Sequence, residues 1–331
     1  MEGVDDGTVL RVRNLKKHFP VRGGFFNRVE GYVRAVDGVS LDLYGGQTLG
    51  VVGESGCGKS TLGKCTLRLE EPTAGEVWFK GRELSSLDAR TLRETRREMQ
   101  MLYQDPYSSL DPRMTVSRIV GEPLAIQGIK GEEATKRVAE MVNMVGLSEN
   151  DLSKYPHMFS GGQRQRISVA RTLILGPSLV VLDEPTSALD VSVQARLLVL
   201  FQRLQRRLGL TYVFISHDMR SIVYISDVIA VMYLGQIVEQ GPTRTVFASA
   251  VHPYTQGLFA AMPTADPDRA LGDLVGLAGE VPDPSNVPSG CRFWPRCTVK
   301  KDGICEEVEP EPVTVGEGHW AKCHLFGTTA V

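Results

Sequence analysis

The stretch that decides the fold is Gly53-Glu54-Ser55-Gly56-Cys57-Gly58-Lys59-Ser60-Thr61, which fits the pattern G-x-x-x-x-G-K-[ST] of a phosphate-binding P-loop. The apolar run Thr48–Val52 before it predicts a buried strand, and Ser60–Leu69 after it predicts a helix. Such a loop can wrap its backbone N–H groups around nucleotide phosphates, and the helix N-terminus faces the same charge. We therefore expect Lys59 to reach the β- and γ-phosphates and the Ser60 hydroxyl to bind Mg²⁺.

The composition is that of an ordinary globular protein. The chain has 331 residues, of which 42% are hydrophobic and 23% charged, and this length predicts about two domains. The net charge of −2 gives no basic field, so we expect no nucleic-acid partner. The acidic segment Met1–Thr8 lacks the features of a signal peptide, and no apolar run reaches the ~18 residues of a membrane span. We therefore expect a cytosolic protein, or one held at a membrane by partners.

Four polar side chains each follow a predicted strand. They are Gln104 after Gln100–Tyr103, Asp183 and Glu184 after Ser178–Leu182, and His217 after Thr211–Ile215. Ligands bind at the carboxyl ends of the strands in open α/β sheets, where the P-loop also lies. One of the two adjacent carboxylates can bind Mg²⁺ while the other polarises a water molecule, and the Gln104 amide can contact either. A lone histidine is usually structural, but its place at this edge favours a function for His217.

The segment before the P-loop predicts an antiparallel β layer that leads into the α/β core. Val9–Leu15 and Val33–Leu43 carry strand patterns, and the glycine- and arginine-bearing segment Val21–Tyr32 interrupts them. An aromatic side chain of this layer could stack on adenine. Phe19 is the first candidate and Tyr32 the second, and for each a simple core or loop position is an equal alternative.

Residues 108–175 predict a helical insertion in the sheet, with helices over Val116–Leu124, Gly131–Val145 and Gln163–Leu175. Inside it, Ser160-Gly161-Gly162-Gln163 offers an N-cap serine followed by glycines that permit close backbone approach. This is a second helix N-terminus suited to phosphate. Farther on, Ser192–Leu208 predicts an amphipathic helix.

Four of the six cysteines are concentrated near the C-terminus. Cys291, Cys297, Cys305 and Cys323 follow the pattern C-x₅-C-x₇-C-x₁₇-C. A cytosolic chain seldom keeps four structural disulfide cysteines, so this cluster predicts a metal site. Four thiolates suit either zinc or an iron–sulfur cluster. The segment from Pro263 onward is rich in proline and glycine and is too irregular to rely on its own core.

Taken together, these motifs resemble the ATPase subunits of ABC transporters over residues 9 to about 247. The resemblance implies a P-loop NTPase fold of the ABC type, α/β with a RecA-like core, an antiparallel β subdomain and a helical subdomain at about 108–175. It implies ATP and Mg²⁺ as cofactors, with ATP bound by Phe19, Gly53–Thr61 and Gln104. Ser60, Gln104 and Asp183 would hold Mg²⁺.

The same resemblance assigns the remaining site residues. Ser160–Gln163 corresponds to the signature motif, Gln104 to the Q-loop, Asp190 to the D-loop aspartate and His217 to the switch histidine. Glu184 would polarise the attacking water. Two ATPase subunits of this family face head to tail, so that each signature motif covers the γ-phosphate in the partner's site.

The C-terminal part is similar to the extension of the dipeptide/oligopeptide importer family. The similarity lies in His252–Thr255, Pro288–Phe293 and the cysteines, and Tyr155–Gln163 looks most like the second ATPase subunit, the DppF/OppF type. It implies an ATPase domain over 1–248 and an extension over 249–331, and it favours a [4Fe–4S] cluster at the four cysteines over zinc. A fold staple is the expected role of that cluster.

The family also implies the function and the partners. The chain would be an ATP-hydrolysing translocase subunit at the cytoplasmic face of the cell membrane, powering import of di- or oligopeptides. Its partners would be a paralogous ATPase subunit, two permease subunits and an extracytoplasmic solute-binding protein, with Tyr107–Met114 receiving a permease helix. Alternatives are import of nickel or oligosaccharide, a soluble ATPase acting on DNA or ribosomes, and a non-hydrolysing regulatory subunit.

Overall fold

The computed structural model describes residues 7–23, 27–104, 110–187, 189–262 and 279–326. They form two compact units, each built from separate stretches of the chain. The first contains the residues before Arg11 together with 43–48 and 79–215, and the second contains 11–42, 49–78 and the residues from Ser216 onward. The P-loop and the C-terminal segment therefore belong to the same unit.

The strands are β1 (Thr8–Gly23), β2 (Arg28–Tyr44), β3 (Thr48–Val52), β4 (Ala74–Phe79), β5 (Arg82–Glu83), β6 (Met99–Leu102), β7 (Leu179–Asp183), β8 (Thr211–Ile215), β9 (Val228–Tyr233), β10 (Gln236–Pro242), β11 (Pro312–Gly316) and β12 (His319–Lys322). The helices are α1 (Lys59–Thr66), α2 (Ala89–Thr95), α3 (Val116–Ile126), α4 (Gly131–Met144), α5 (Gly161–Leu173), α6 (Val191–Leu208), α7 (Met219–Ile225), α8 (Thr243–Ala248), α9 (Pro253–Ala260) and α10 (Ile304–Glu307).

The core of the first unit is a set of parallel strands in the order β6, β7, β8. Leu102 pairs with Leu182, and Asp183 pairs with Ile215. Every residue of β7 and β8 is buried, as their continuous apolar sequences require in a sheet covered on both faces. The carboxyl ends of these strands consequently meet at one edge.

Helices α3, α4 and α5 form the predicted helical insertion, in which α3 contacts both of the others. Their bounds lie within two residues of the prediction. The N-cap of helix α2 is Asp88, which accepts hydrogen bonds from the Arg90 and Thr91 N–H groups at 2.9 and 2.8 Å. Helix α2 therefore starts at Ala89.

In the second unit, β3 pairs in parallel with β9, and β9 and β10 form an antiparallel hairpin. Strand β12 of the C-terminal segment pairs antiparallel with β10, and β11 pairs antiparallel with β12. All five residues of β3 are buried. The C-terminal segment thus extends an existing sheet, which compensates for its small core.

The predicted interruption at Val21–Tyr32 is wrong for the residues that the structure describes. Strand β1 continues to Gly23 and its neighbour β2 begins at Arg28, although residues 24–26 lie outside the described part. Most side chains of this outer part are exposed. A strand pair that buries neither face needs no apolar alternation, so the sequence pattern could not reveal it.

Among the described residues, no helix is long and apolar enough to span a membrane.

Candidate functional site

The P-loop lies between β3 and α1, as predicted, and its glycines are required by close backbone contacts. Gly58 has φ +105°, and a Cβ atom there would lie 1.8 Å from the carbonyl oxygen of Ala35. A Cβ at Gly53 would lie 2.1 Å from the carbonyl oxygen of Met232. Neither position can accept a larger residue without moving backbone. The loop is therefore held tightly between β2 and the end of β9.

The Lys59 side chain is buried within the loop, with only 6% of the residue exposed. Its ammonium group donates to the carbonyl oxygens of Gly53 at 2.7 Å and Glu54 at 2.9 Å. A buried ammonium needs such acceptors, and the position places positive charge at the start of α1, where the helix dipole also favours an anion. Burial raises the pKa of the Cys57 thiol, so this cysteine stays neutral.

His217 belongs to the same unit as the P-loop. It follows β8, and the N–H group of Ser216 donates to the carbonyl oxygen of Val51 at 3.2 Å. Val51 precedes the first P-loop glycine by two residues. Ser216, which precedes His217, therefore lies beside the end of β3 that leads into the P-loop.

A second group of site residues lies at the carboxyl ends of the strands in the first unit. Asp183 ends β7 and is 5% exposed, and Gln104 lies two residues beyond β6. Glu184 has φ +49°, a left-handed conformation that is uncommon for a residue with a side chain, and its N–H group donates to the carbonyl oxygen of Ile215 at 2.9 Å. Strain of this kind concentrates at functional sites.

The signature-like motif forms the N-terminus of α5. The Ser160 hydroxyl accepts from the Gln163 N–H group at 3.4 Å, and the Gln163 side chain accepts from the Ser160 N–H group at 3.0 Å. This reciprocal capping box begins the helix at Gly161. The helix therefore starts two residues earlier than the predicted Gln163.

Two contacts tie this helix to the neighbouring site elements of the first unit. A Cβ atom at Gly162 would lie 2.5 Å from Cγ1 of Val193 on α6, so the two helices meet where only glycine fits. The buried Gln165 amide donates to the carbonyl oxygen of Pro185 at 2.9 Å, directly after Glu184.

Asp190 is the N-cap of α6 and accepts from the Val193 N–H group at 3.0 Å and the Ser192 hydroxyl at 2.9 Å. These hydrogen bonds lower the pKa of the Asp190 carboxyl, so it is ionised at neutral pH. Gln104, Asp183, Glu184, Ser160–Gln163 and Asp190 all lie in the first unit, whereas Phe19, the P-loop and His217 lie in the second.

The two aromatic candidates for adenine stacking lie on neighbouring strands. Phe19 is half-buried on β1, with the Lys17 ammonium 4.7 Å from the centre of its ring. Tyr32 lies on β2 and is 51% exposed. The choice between the two rings stays a prediction.

The four C-terminal cysteines lie near one another, but the structure does not support a metal site there. Burial raises the pKa of Cys291 to about 12, with smaller effects from charges at Cys305, Cys323 and Cys297. Burial also raises the pKa of Cys297 and Cys323. Because metals bind the thiolate, a metal here would have to displace the proton from each of these thiols. Within the described ranges, no group of three or more His, Cys, Asp or Glu side chains is placed to hold a metal ion.

Comparison with known proteins identifies the family. Residues 36–187 match the family described as ABC transporter, and residues 238–305 match the oligopeptide/dipeptide transporter C-terminal region. The oligopeptide transport ATP-binding protein AppF of Bacillus subtilis is 45% identical over 98% of this chain and 100% of its own length. The chain belongs to the ATP-binding proteins of oligopeptide/dipeptide ABC transporters. As a member of this ABC family it is an ATP hydrolase.

One further sequence match and one structural match support the same family. The dipeptide transport ATP-binding protein DppF of Escherichia coli is 46% identical over 92% of this chain and 90% of its own length. A dimeric structure of the ATP-binding cassette MJ0796 bound to ADP and Pi superimposes with a TM-score of 0.63 at 29% identity, covering 71% of this chain and 99% of that one. These matches confirm the predicted ABC-type fold.

Sequence reasoning missed one set of contacts in this ABC ATP-binding protein. The Arg296 guanidinium pairs with the Glu54 carboxylate of the P-loop, and the Tyr254 hydroxyl accepts from the Glu54 N–H group. Tyr254 lies in the His-Pro-Tyr motif that had indicated the family. Nothing in the sequence pattern distinguished Arg296 from other arginines.

Proposed function

We propose that this chain binds and hydrolyses ATP to power an importer of dipeptides or oligopeptides across the cytoplasmic membrane. One observation carries the proposal: a P-loop with a buried lysine is joined to a C-terminal region of the oligopeptide/dipeptide transporter type in a single chain. AppF and DppF, which are named for oligopeptide and dipeptide transport, match nearly the whole chain.

The proposed roles in ATP binding follow from the chemistry of each group. Residues 53–61 would bind the phosphates, with Phe19 against the adenine and Gln104 near the γ-phosphate. Mg²⁺ would be held by oxygen ligands from Ser60, Gln104 and Asp183, which suit this hard cation. The burial of Asp183 favours a rigidly placed ligand.

Hydrolysis would depend on two further residues. Glu184 would polarise the attacking water. Its left-handed backbone conformation supports this role, because such strain is typical of functional sites. His217 would orient the γ-phosphate and that water. Phosphoryl transfer needs mainly positioning and charge neutralisation, and side chains of these types supply both.

We propose a two-protomer arrangement for the complete site. Ser160–Gln163 would cover the γ-phosphate bound by a paralogous ATPase subunit, and Asp190 would lie at the contact between the two protomers. The dimeric state of the related cassette MJ0796 supports this arrangement. ATP would then favour the closed pair and hydrolysis would release it, as a ligand does when it binds one of two states more tightly.

The remaining partners are proposed from the family. Two permease subunits would hold the chain at the cytoplasmic face of the membrane, and an extracytoplasmic binding protein would deliver the solute. The segment proposed to receive a permease helix is Tyr107–Met114, of which residues 107–109 lie outside the described part. Purifying the native complex would test these partners, and ribosomes or DNA in place of permeases would contradict the proposal. Uptake measurements would test the solute, and uptake of nickel or oligosaccharide would replace peptide as the substrate.

The catalytic part of the proposal is tested by Glu184→Gln. This variant should bind Mg–ATP normally, lose ATP hydrolysis by a factor of about 10²–10⁴ and accumulate as a closed dimer. A matched control is Glu133→Gln, which removes an exposed carboxylate that pairs with Arg137 on α4. Hydrolysis at the normal rate in Glu184→Gln would show that Glu184 has a different role.

The [4Fe–4S] cluster, with zinc as its alternative, stays a hypothesis drawn from the cysteine spacing. Elemental analysis of the purified protein for iron and zinc tests this hypothesis, and visible absorbance tests for the cluster. Stoichiometric iron would support the cluster, and zinc the alternative. Absence of both metals from anaerobically purified protein would remove the hypothesis.

A further inference from the structure

The C-terminal segment contacts the P-loop at Glu54, the second residue of the motif. The Arg296 guanidinium forms two parallel contacts with the Glu54 carboxylate, at 2.7 and 3.0 Å. The Glu54 N–H group donates to the Tyr254 hydroxyl at 2.9 Å. The Glu54 carbonyl oxygen accepts from the Lys59 ammonium at 2.9 Å. Side chain, N–H and C=O of one P-loop residue are thus all engaged.

Arg296 is placed so that Glu54 is needed as its partner. Its side chain is only 4% exposed, while that of Glu54 is 25% exposed. The guanidinium lies 5.9 Å from the ring centres of both Tyr233 and Phe293. The hydrogen bond to Glu54 raises the pKa of Arg296 further, so it remains charged. Two-point pairing of this kind fixes orientation as well as distance.

Tyr254 is held as firmly as Arg296. His252 caps α9 by accepting from the Tyr254 N–H group at 3.1 Å, which sets the start of the helix. The Tyr254 ring is fully buried and lies 4.6 Å from the Tyr233 ring and 5.4 Å from the Phe293 ring, measured between centres. The aromatic cluster of Tyr233, Tyr254 and Phe293 therefore fixes where the hydroxyl meets the P-loop.

A second buried arginine fastens the same short segment to the unit. Arg292 lies four residues before Arg296, and it pairs with Asp37 of β2 and donates to the carbonyl oxygen of Leu234. The turn that carries Arg296 is therefore anchored at Arg292 as well as at Arg296 itself. Movement of this turn would be passed to Glu54 through a rigid contact.

The charge of Glu54 gives these contacts a functional meaning. A carboxylate in a phosphate-binding loop repels the phosphates of ATP at short range. Pairing with Arg296 neutralises this charge and fixes the position of the carboxylate. Without Arg296, the loop would keep a negative side chain beside a polyanionic ligand.

We propose that Arg296 and Tyr254 are positioning residues for ATP binding: they fix Glu54 and neutralise it, so that the P-loop is ready to receive the phosphates. The C-terminal segment is then part of the nucleotide site, although neither residue contacts the nucleotide. This inference rests on the proposed role of the P-loop in ATP binding.

The test measures the Kd for a fluorescent Mg–ATP analogue, and the KM and kcat of hydrolysis, in the full chain. Arg296→Met should raise both Kd and KM at least about tenfold, since it leaves the Glu54 carboxylate without its partner beside the phosphates. Glu54→Gln should raise them by less than Arg296→Met does, because it removes the repelling charge while its amide oxygen can still accept a hydrogen bond from the buried Arg296. The double variant Arg296→Met with Glu54→Gln should return to within about threefold of the wild type, because the repelling charge is gone.

A smaller variant covers the case in which Arg296→Met does not fold. Tyr254→Phe removes one oxygen atom and should raise KM about threefold while kcat stays the same. Lys300→Met is the matched control, since it removes a cation of the same segment that pairs with Asp302 and Glu306, away from the P-loop residue Glu54.

Three results separate this inference from the function on which it rests. Unchanged Kd and KM in Arg296→Met, or in Tyr254→Phe where only that variant folds, would overturn the inference. So would a double variant as weak as Arg296→Met alone. Lys59→Ala should lose ATP binding whatever Arg296 does, and normal binding in Lys59→Ala would instead contradict the proposed P-loop function.

Discussion

The contact between Gly162 and Val193 gives a quantitative prediction for Gly162→Ala. The new Cβ atom would lie 2.5 Å from Cγ1 of Val193, whereas carbon atoms in contact lie about 3.5–4.0 Å apart. The two helices must therefore separate by about 1 Å. Overpacking of this size costs about 1–3 kcal/mol, and the better helix propensity of alanine returns up to about 1 kcal/mol.

The expected net loss for Gly162→Ala is about 1–2 kcal/mol, which lowers the midpoint of thermal unfolding by about 1.5–3 °C for a chain of 331 residues. Removing the clash should reverse the sign of the change in unfolding free energy that Gly162→Ala causes. In a Val193→Ala background, Gly162→Ala should be neutral or stabilising, because only the helix propensity term remains. Calorimetry on the four proteins of this cycle measures both effects.

An equal shift of the unfolding midpoint by Gly162→Ala with valine or with alanine at position 193 would refute the clash between these two residues. ATP hydrolysis gives a second reading of the same cycle. The double variant should stay impaired, since Gly162 is proposed to face a nucleotide in the partner subunit. Full recovery of hydrolysis with recovery of stability would show that the glycine serves packing alone.

Two further predictions concern the second unit. Gly58→Ala should abolish binding of Mg–ATP, because its Cβ would lie 1.8 Å from the Ala35 carbonyl oxygen at φ +105°; equilibrium binding tests this, and normal affinity would contradict it. Burial lowers the pKa of His252 to about 3, below its unfolded value of about 6.5, so its contribution to stability is complete above pH 6.5 and is lost as the pH falls towards 3. Unfolding midpoints should therefore fall by more between pH 7 and 5 in the wild type than in His252→Gln, and equal slopes would refute this.

The sequence predicted the features that depend on residues close together in the chain. The strand Thr48–Val52 was predicted with its observed bounds, and the P-loop followed it as expected. The carboxyl ends carrying Gln104 and Asp183 were also predicted, because buried parallel strands have a recognisable apolar run. The amphipathic helix predicted over Ser192–Leu208 is α6, which begins one residue earlier and ends at Leu208 as predicted.

Contacts between distant parts of the chain were not predictable from patterns. Glu54 and Arg296 are separated by 242 positions, and neither residue belongs to a motif that names the other. The cysteine spacing indicated a metal site, and the four thiols do lie near one another, but spacing does not determine whether their geometry can hold a metal ion. Strands β1 and β2 extend beyond the core, where exposed residues follow no apolar alternation.

The central claim is that ATP hydrolysis by this chain drives uptake of peptides. The most direct test is uptake of a labelled oligopeptide by cells whose only copy of the chain carries Glu184→Gln, compared with cells carrying the wild type or Glu133→Gln. We expect uptake with the wild type and with Glu133→Gln, and uptake at background level with Glu184→Gln. Uptake at the wild-type rate with Glu184→Gln would contradict the account.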